Sequence, residues 1–559
     1  MSIRKIFNNL FQYEEQEKYE FILPNSANNL PESAAEIEKQ RIFPTLSVNI
    51  EYLKTKYNLL INSDVKIRKF ALPIQDKKIP AALLYIDGMV DETSITNSVL
   101  QPLLLKNSIT MHEQQDIKKS GRISVRNPKM PKINLENFIY NGLIPHNSIS
   151  KETEFENVIV KVNAGFCALL VDTIGTAFCV ETKGFKGRSV SEPITENIVR
   201  GSQEAFVENI RTNTSMLRKI INNENLLIEE VEIGKISRTK VAVCYIENIA
   251  NNDLVAEVKY RVNNLDIDYL LSSGQLEQFI KDNPVSSFPQ SIATERPDRV
   301  CTYLLNGRVA IIVNGTPFVL VVPGVFIDFL TSGEDRNLNY HFANFLKFIR
   351  GIALFFAIFL PGMYVAITNY HQELIPSELL FAIANAREAI PFPVIFEIIL
   401  MEISFELIRE AGLRVSSSFS TTIGIIGALI LGDAAVSANI VSPILIIVVA
   451  FTGICGFAIP DFSLTSTIRI CRFAYIVLGF LAGFLGIAFG FFVHFIFLTN
   501  LSSFGVPYFA PYIPFENLNE NNGYVMKPVW KRERRSKFLN TKRPEAEKKI
   551  SMNWRNHAK

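Results

Sequence analysis

The stretch AALLYIDGMVDETSI, residues 81–95, decides how the first half of the chain folds, because VAVCYIENIANNDLV, residues 241–255, repeats its pattern. In each, an apolar strand pattern ends in Tyr-Ile-acid and is followed by a turn and the start of a helix. A short strand pattern precedes each one, VKIRKFAL in the first and VEIGKIS in the second. CALLVDTIGTAFCVE (167–181) and VAIIVNGTPFVLVVP (309–323) both indicate two strands joined by a tight turn. The order strand–strand–helix–hairpin occurs twice and predicts two related α/β subdomains.

Composition divides the rest of the 559-residue chain. The predicted fold class is an α/β soluble N-terminal part with two related subdomains, followed by an all-α polytopic membrane domain. The predicted segments are a weakly ordered N-terminal segment (1–45), a first soluble α/β subdomain (46–200) with an insertion at 106–157, a second (201–345), a membrane domain (346–515) and a basic cytoplasmic tail (516–559).

Charge and motif content exclude several functions. The formal net charge is +2, and the basic run KKSGRISVRNPKMPK inside the insertion favours a solvated loop over a nucleic-acid site. The six cysteines form no CxxC pair, and the sequence has no Walker loop, GxGxxG, GxSxG or HExxH motif. The sequence therefore predicts no enzyme, no cofactor and no metal site.

A membrane helix needs about 20 mostly apolar residues, and four stretches meet or nearly meet this requirement. They are about 351–368, 393–413, 440–460 and 473–498. A further apolar stretch, about 421–437, is interrupted at Gly432-Asp433. It is interpreted as a re-entrant element, with a continuous fifth span as the alternative.

The stretch 393–413, PVIFEIILMEISFELIREAGL, carries far more charge than the others. Glu402, Glu406 and Glu410 are spaced four apart and share a helical face, with Arg409 on the same side. Charges at membrane depth should face water or a partner rather than lipid. A water-facing ion path, an interfacial amphipathic helix and an ion-paired structural helix all remain open. The candidate residues are Glu397, Glu402, Glu406, Arg409, Glu410 and Asp433.

Glycines recur on one face of the last span. Their spacing is four, three and four, and small residues let helices approach closely in lipid. We expect helix packing at Gly479, Gly483, Gly486 and Gly490.

Basic residues set the expected orientation. Residues 527–559 contain twelve Lys or Arg and three Glu, so this tail should be cytoplasmic. A solvated tail that only fixes the topology is favoured over one that binds anionic lipid headgroups. Two cytoplasmic termini require an even number of spans, which favours four plus a re-entrant element. Arg469 and Arg472 favour five spans, since four would place them outside.

The run SVSEPITENIVRGSQEAFVENIRTN, residues 189–213, resembles the signature of the A-subunit family of spore germination receptors, the GerA type. Further segments match the family pattern in order, over about residues 47–515. They are DIDYLLSSGQLEQFI, SSFPQSIATERPDRV (which contains Glu295, Arg296, Pro297 and Asp298), LLNGRVAIIVNGTPFVLVVP, PFPVIFEIILMEISFELIREAGLRVS and GALILGDAAVSANIVSP. The family usually has Gly-Pro-Arg-Glu-Gly where this chain has GSQEA at 201–205.

The resemblance implies a setting. Such proteins lie in the inner membrane of the endospore, with their termini expected towards the cytoplasm or spore core, beside a transporter-like B subunit and a lipoprotein C subunit. The complex detects nutrients and triggers germination. The resemblance implies that the A subunit forms homo-oligomers and forms or gates a cation channel. The alternative is a non-conducting scaffold that couples the partner to downstream germination factors.

Overall fold

The computed structural model describes residues 21–23, 40–74, 77–104, 135–184, 193, 195–414, 432–513, 524–532 and 534–546. The predicted weakly ordered segment 1–45 therefore lies mostly outside the described residues. The same is true of residues 106–134 of the predicted insertion and residues 421–431 of the predicted re-entrant element.

The described chain divides into two compact units. The α/β unit contains the described residues up to 281, residues 291–323 and the C-terminal residues 534–546, and the helical unit contains residues 282–290 and 324–532. The predicted fold class, an α/β N-terminal part followed by an all-α part, is confirmed at this level. Two segments were not expected where they are, because 282–290 belongs to the helical unit and 534–546 to the α/β unit.

The first repeat of the α/β unit forms a five-stranded antiparallel sheet in the order β1-β2-β4-β5-β3. Its strands are β1 (Val65–Ile74), β2 (Lys77–Ile86), β3 (Ile149–Glu152), β4 (Phe166–Val171) and β5 (Ala177–Glu181). Its helices are α1 (Leu46–Lys56), α2 (Glu92–Ser94, continued by a π-helical segment, Ile95–Leu100), α3 (Leu135–Phe138, continued by Ile139–Leu143) and α4 (Phe155–Asn163).

The second repeat forms a sheet with the equivalent order, β6-β7-β9-β10-β8. Its strands are β6 (Leu226–Ile233), β7 (Thr239–Ile246), β8 (Ile292–Thr294), β9 (Val309–Val313) and β10 (Val319–Val322). Helix α5 (Ile210–Ile220) precedes the sheet, and α6 (Asn252–Asn263), α7 (Ser273–Ile280) and α8 (Pro297–Leu305) lie between its strands. Both repeats have the element order strand–strand–helix–helix–strand–helix–strand–strand, so the two predicted subdomains are confirmed as related.

Strand burial explains why the repeats were visible in the sequence. Strand β4 sends alternate residues into two apolar clusters, Ala168 and Leu170 into one and Cys167 and Leu169 into the other. A strand that is buried on both faces has a continuous apolar sequence rather than an alternating one. Strands β3 and β8 escaped prediction because β3 (ISKE) is polar and β8 has only three residues.

The insertion predicted at 106–157 is too long. Residues 135–157 contain α3, β3 and the start of α4, all of which have counterparts in the second repeat. These elements are short and contain many polar residues, so the region has the composition of a loop and was predicted to be part of the insertion.

A buried ion pair joins the two repeats. Arg218 on α5 donates to both carboxylate oxygens of Asp64, at 2.6 and 2.8 Å, and to Oδ1 of Asn62 at 2.9 Å. The side chains of Arg218 and Asp64 are only 2% and 1% exposed. Ser63 also donates its backbone N–H to the carbonyl of Ile228 on the edge strand β6. The repeats are therefore linked by a paired, hydrogen-bonded charge cluster, and loss of one partner would leave the other charged and buried.

The helical unit begins after the second repeat. Its helices are α9 (Phe326–Phe329), α10 (Tyr340–Tyr370), α11 (Ser377–Arg387), α12 (Val394–Arg414), α13 (Gly432–Ser437), α14 (Pro443–Phe457) and α15 (Phe462–Thr499), and a two-stranded ribbon follows, β11 (Ser502–Ser503) with β12 (Val506–Pro507). Among the described residues, α10 and α15 are long and apolar enough to cross a membrane, and α14 is a shorter apolar helix.

Helix α15 is a hairpin of two arms, 462–481 and 484–499. The backbone leaves helical geometry at Ala482 and Gly483, and Gly483 has φ +59°. The Tyr475 hydroxyl lies 3.2 Å from Nδ1 of His494, whereas nineteen residues of straight helix would separate them by roughly 28 Å. The sequence predicted a single span over 473–498; the chain instead reverses in the middle of it.

The ends of the helical unit lie side by side. Asn344, near the start of α10, accepts from the backbone N–H of Met526 at 2.6 Å and donates to its carbonyl at 3.0 Å. The rings of Tyr340 and Trp530 are also in contact, with centroids 6.0 Å apart. The chain therefore leaves the helical unit beside the N-terminal end of α10.

Candidate functional site: the charged face of helix α12

The charged stretch predicted at 393–413 forms helix α12. Its apolar outer side chains, Phe396, Leu400, Ile403 and Leu407, are 47–65% exposed. Ile398 and Met401 are buried on the opposite side in a cluster with α10 and α14. The charged face, defined as Glu397, Glu402, Glu406, Arg409 and Glu410, changes character along the helix.

Glu402 forms the most deeply buried pair. Its Oε2 accepts from Nη1 of Arg472 at 2.7 Å, and the two side chains are 4% and 6% exposed. Nε of Arg472 donates to the carbonyl of Ala357 at 2.9 Å. One arginine thus joins α12, α10 and the first arm of α15.

Glu397 lies five residues before Glu402 and is also buried. Nη2 of Arg387 on α11 lies 3.3 Å from its Oε1, and the backbone N–H of Ser442 donates to its Oε2 at 3.1 Å. This carboxylate holds together the starts of α12 and α14 and the end of α11.

Towards the other end of α12 the carboxylates emerge. The side chain of Glu406 is 43% exposed; it pairs with Arg469 and has Arg409 at 3.7 Å. The Arg409 guanidinium lies over the Phe457 ring, 5.1 Å from its centroid. Glu410 is 55% exposed and pairs with Arg414 at 2.7 Å.

All four glutamates of the charged face have an arginine partner within the described chain. The sequence indicated Arg409 as a neighbour but missed Arg387, Arg469 and Arg472, because those partners come from other helices. Asp433 is exposed in the first turn of α13, and no ion pair among the described residues joins it to this face. The arrangement can fix helix positions at its buried end and present charge to water at its exposed end.

The four predicted packing glycines all lie at close approaches. A Cβ on Gly479 would lie 2.5 Å from the carbonyl oxygen of Gly362 on α10, so no larger residue fits. Gly483 forms the turn of the hairpin, where a positive φ favours glycine. Gly486 and Gly490 face Leu478 on the opposite arm.

The motif 295–298 in the α/β unit fastens a neighbouring segment. Glu295 accepts from the backbone N–H groups of Thr195 and Glu196, at 2.6 and 3.0 Å. Fully buried Arg296 donates to the carbonyls of Glu196 and Ser202 and pairs with Asp298 at 2.9 Å. Pro297 is the first residue of α8, where a missing N–H costs nothing. The motif therefore holds the segment that includes the divergent residues 201–205.

A cleft of about 910 Å³, which was not predicted from the sequence, lies between the two repeats. Many of its charged groups pair with one another. Arg211 lies 3.3 Å from Asp87, and Lys219 lies 2.5 Å from Glu204. Hydrogen bonds from Thr93 lower the pKa of Asp91. The lining residues are Asp87, Gly88, Val90, Asp91, Glu92, Thr93, Lys183, Gly184, Gln203, Glu204, Asn209, Arg211, Thr212, Ser215, Met216 and Lys219.

Comparison with known proteins gives concordant results. The family model described as "Bacillus/Clostridium GerA spore germination protein" matches residues 51–538. "Spore germination protein KA" of Bacillus subtilis (strain 168) is 37% identical over 503 residues, covering 89% of this chain and 88% of that protein. "Spore germination protein A1" of the same organism is 34% identical over 446 residues, covering 80% and 87%.

Two further matches are another curated protein and a solved structure. "Uncharacterized membrane protein YfkQ" of Bacillus subtilis (strain 168) is 36% identical over 498 residues, covering 88% of this chain and 91% of that protein. Among solved structures, the N-terminal domain of the A subunit of the Bacillus megaterium spore germinant receptor GerK3 is 32% identical. The match covers 51% of this chain and 98% of the GerK3 domain, with a TM-score of 0.36.

Proposed function

The chain belongs to the GerA family of spore germination proteins, and from this membership we propose that it is the A subunit of a nutrient germinant receptor in the inner membrane of the endospore. Its partners are a transporter-like B subunit and a lipoprotein C subunit. The helical unit spans the membrane several times, and the α/β unit faces the cytoplasm or spore core. The adjacent ends of the helical unit support an even number of crossings, because a chain that leaves beside its starting point ends on the side where it began.

The finer proposal concerns ion movement. Copies of the chain associate, and the exposed end of the charged face, Glu406 and Glu410, borders a cation path. The observation that carries this assignment is the change of exposure along α12, since Glu397 and Glu402 are buried while Glu406 and Glu410 reach the surface. Rings of carboxylates select cations in channels. The buried pairs position the helices and are not part of the path.

The test is ion flux through the complete receptor, reconstituted with its partner subunits in liposomes and exposed to germinant. Glu406→Gln and Glu410→Gln should each lower the cation-to-anion permeability ratio. Glu378→Gln is the matched control, because Glu378 is exposed in the same unit but lies on α11. If both α12 variants keep the conductance and selectivity of the unchanged receptor, the ion-path assignment is wrong.

A scaffold without conduction is the second candidate, and one observation favours it. The glutamates of the charged face are paired within the chain, and the outer stripe of α12 is apolar (Phe396, Leu400, Ile403 and Leu407). Photo-crosslinking from Leu407 in the receptor separates the candidates. Capture of the B subunit without a second copy of this chain supports the scaffold, and capture of a second copy supports the assembled path.

A further inference from the structure

The two α/β repeats have the same element order and equivalent sheet orders, so the turns that correspond to one another can be identified. In the first repeat, the turn after β2 follows Tyr85-Ile86-Asp87, and Met89 lies four residues after the tyrosine. In the second, the turn after β7 follows Tyr245-Ile246-Glu247, and Ile249 has the equivalent place. Each repeat also has a glycine with a positive φ just before an equivalent strand. Gly165 precedes β4 and has φ +89°, and Gly307 precedes β9 and has φ +95°.

The first repeat is closed by the residues that follow its last hairpin strand, β5. Thr182 accepts at its carbonyl from the backbone N–H of Asp91 at 2.8 Å, and Gly184 donates its N–H to the carbonyl of Met89 at 3.2 Å. Lys183 packs over Gly165, where a Cβ would lie 3.1 Å from its Cγ. The segment 182–184 thus covers both the turn after β2 and the glycine before β4.

The second repeat has no such residues after β10, because the chain passes from Pro323 into the helical unit. The equivalent place is filled by residues 541 and 542. Lys542 donates its backbone N–H to the carbonyl of Ile249 at 3.1 Å, and its Nζ donates to the carbonyl of Glu247 at 2.7 Å. Thr541 packs over Gly307 through its Cγ2. The contacts to Met89 and Gly165 in the first repeat therefore recur at Ile249 and Gly307 in the second.

The segment 534–546, called here the strap, is held by more than these contacts. Arg535 is only 8% exposed, and its guanidinium donates to the carbonyl of Leu305 at the end of α8, at 2.7 Å. The same guanidinium donates to the carbonyl of Arg543 at 2.9 Å and so closes the strap on itself. Phe538 and Leu539 are 8% and 0% exposed. Buried apolar and charged side chains are not features of a solvated tail.

We propose that the strap is the closing segment of the second repeat, docked in cis on the turn at Glu247–Ile249 and on the end of α8. The helical unit is then an insertion within this repeat rather than a domain appended to it. The helical unit ends at residue 532 and the strap begins at residue 534. Because only one residue separates them, the strap is the direct continuation of the helical unit of the same chain. Both ends of the inserted unit are covalently joined to one repeat.

This assignment replaces the solvated or lipid-binding interpretation for residues 534–546 of the basic tail predicted over 516–559. Arg535 and Lys542 contribute to the positive charge that suggested a lipid-binding or solvated tail, but they donate to backbone carbonyls of the α/β unit. The outward-facing charge of the segment does not reveal these contacts, and only the Phe538-Leu539 pair within it hints at burial.

The experiment compares two truncations of the full-length protein in lipid nanodiscs by amide hydrogen exchange. One variant ends after Arg532 and lacks the strap; the matched control ends after Ala546 and lacks only the basic end. Removal of the strap should raise exchange at 247–251 and 305–308 by at least about tenfold, as expected for loss of a local cooperative unit. A synthetic peptide of residues 533–546 should restore protection. The control variant that ends after Ala546 should keep its protection at 247–251 and 305–308.

A glycine pair keeps the proposal testable if the shorter truncation does not fold. Gly307→Ala and Gly315→Ala place a Cβ at nearly the same φ, +95° and +94°, but only the first meets Thr541, and nothing lies within 4 Å of the second. Gly307→Ala should raise exchange over 535–543 by at least about tenfold over Gly315→Ala. Equal exchange in each pair of variants would overturn the proposal. So would protection of 535–543 that requires anionic lipid in the nanodisc.

Discussion

The two α/β repeats share every element of their sheets but differ in how each is closed. The first is completed at once by residues 182–184, whereas the second is completed by a strap that lies more than 200 residues further along the chain. The difference shows that a whole helical unit can be inserted after the last strand of this fold. The chain must then return, so that a later segment makes the contacts that residues 182–184 make in the first repeat. The difference also explains why the C-terminal residues 534–546 belong to the α/β unit.

The largest expected effect comes from breaking the link between the repeats. Asp64→Asn removes the charge that neutralises Arg218, which is only 2% exposed, and should lower the free energy of unfolding by about 3–5 kcal/mol. Chemical denaturation of the purified full-length protein in detergent measures this loss. Asp266→Asn serves as the control, since its pair with Lys235 is exposed and should contribute little. Equal stability of the two variants would contradict the conclusion that the buried pair of Asp64 and Arg218 links the two repeats.

A smaller effect is expected from the residue that directly precedes the equivalent helix in each repeat. Arg296 precedes α8 and is fully buried, while its counterpart Glu154 precedes α4 and is partly exposed. Arg296→Ala would leave the carbonyls of Glu196 and Ser202 without a donor and should cost about 2–4 kcal/mol.

Glu154→Ala in the first repeat is the matched variant and should cost clearly less in the same denaturation experiment. If the two variants cost the same, the repeats do not differ at this position, and the motif 295–298 does not fasten the segment 195–206 as the contacts indicate.

The smallest effect is a difference in acid sensitivity between the two helix caps. Asp91 caps α2, and Asn251 caps α6 at the equivalent position. Hydrogen bonds from Thr93 lower the pKa of Asp91 below its usual 3.8, so its contribution to stability is complete above pH 3.8. That contribution is lost as the pH falls through the lower, folded-state pKa.

Asp91→Asn makes the first cap resemble the second. Stability near pH 7 should change little, because Asn and Asp cap helices about equally well. The acid-induced loss of protection at residues 93–95, followed by hydrogen exchange below pH 3.8, should become shallower. An unchanged pH profile would mean that the Asp91 carboxylate does not control this cap.

The sequence revealed those parts of the fold that depend on local pattern. The strand pairs of both repeats were predictable because β2, β4, β7 and β9 each contain a continuous apolar run and end in recognisable turns. The charged face of α12 was equally visible from its spacing. Its arginine partners were not, since Arg469 and Arg472 come from α15 and the pairing depends on tertiary packing.

The hairpin of α15 and the strap were missed for opposite reasons. Residues 473–498 are so uniformly apolar that they resemble one long span, although the chain reverses at Ala482 and Gly483. The strap is so rich in basic residues that it resembles a solvated tail, and its docking depends on backbone carbonyls that carry no sequence signal. Composition indicates whether a segment is expected in lipid or in water, but it does not show which other segments of the chain it contacts.

The most direct test of the inserted helical unit is the sided labelling of single cysteines in sealed membrane vesicles. The native cysteines are first replaced by alanine or serine, and one cysteine is introduced at each of Lys54 on α1, Glu373 beyond the end of α10 and Lys531 before the strap. All three positions are exposed. Cysteines at 54 and 531 should react with an impermeant maleimide from the same side, and the cysteine at 373 should react from the opposite side. Labelling of 54 and 531 from opposite sides would contradict the insertion of the helical unit into the second repeat.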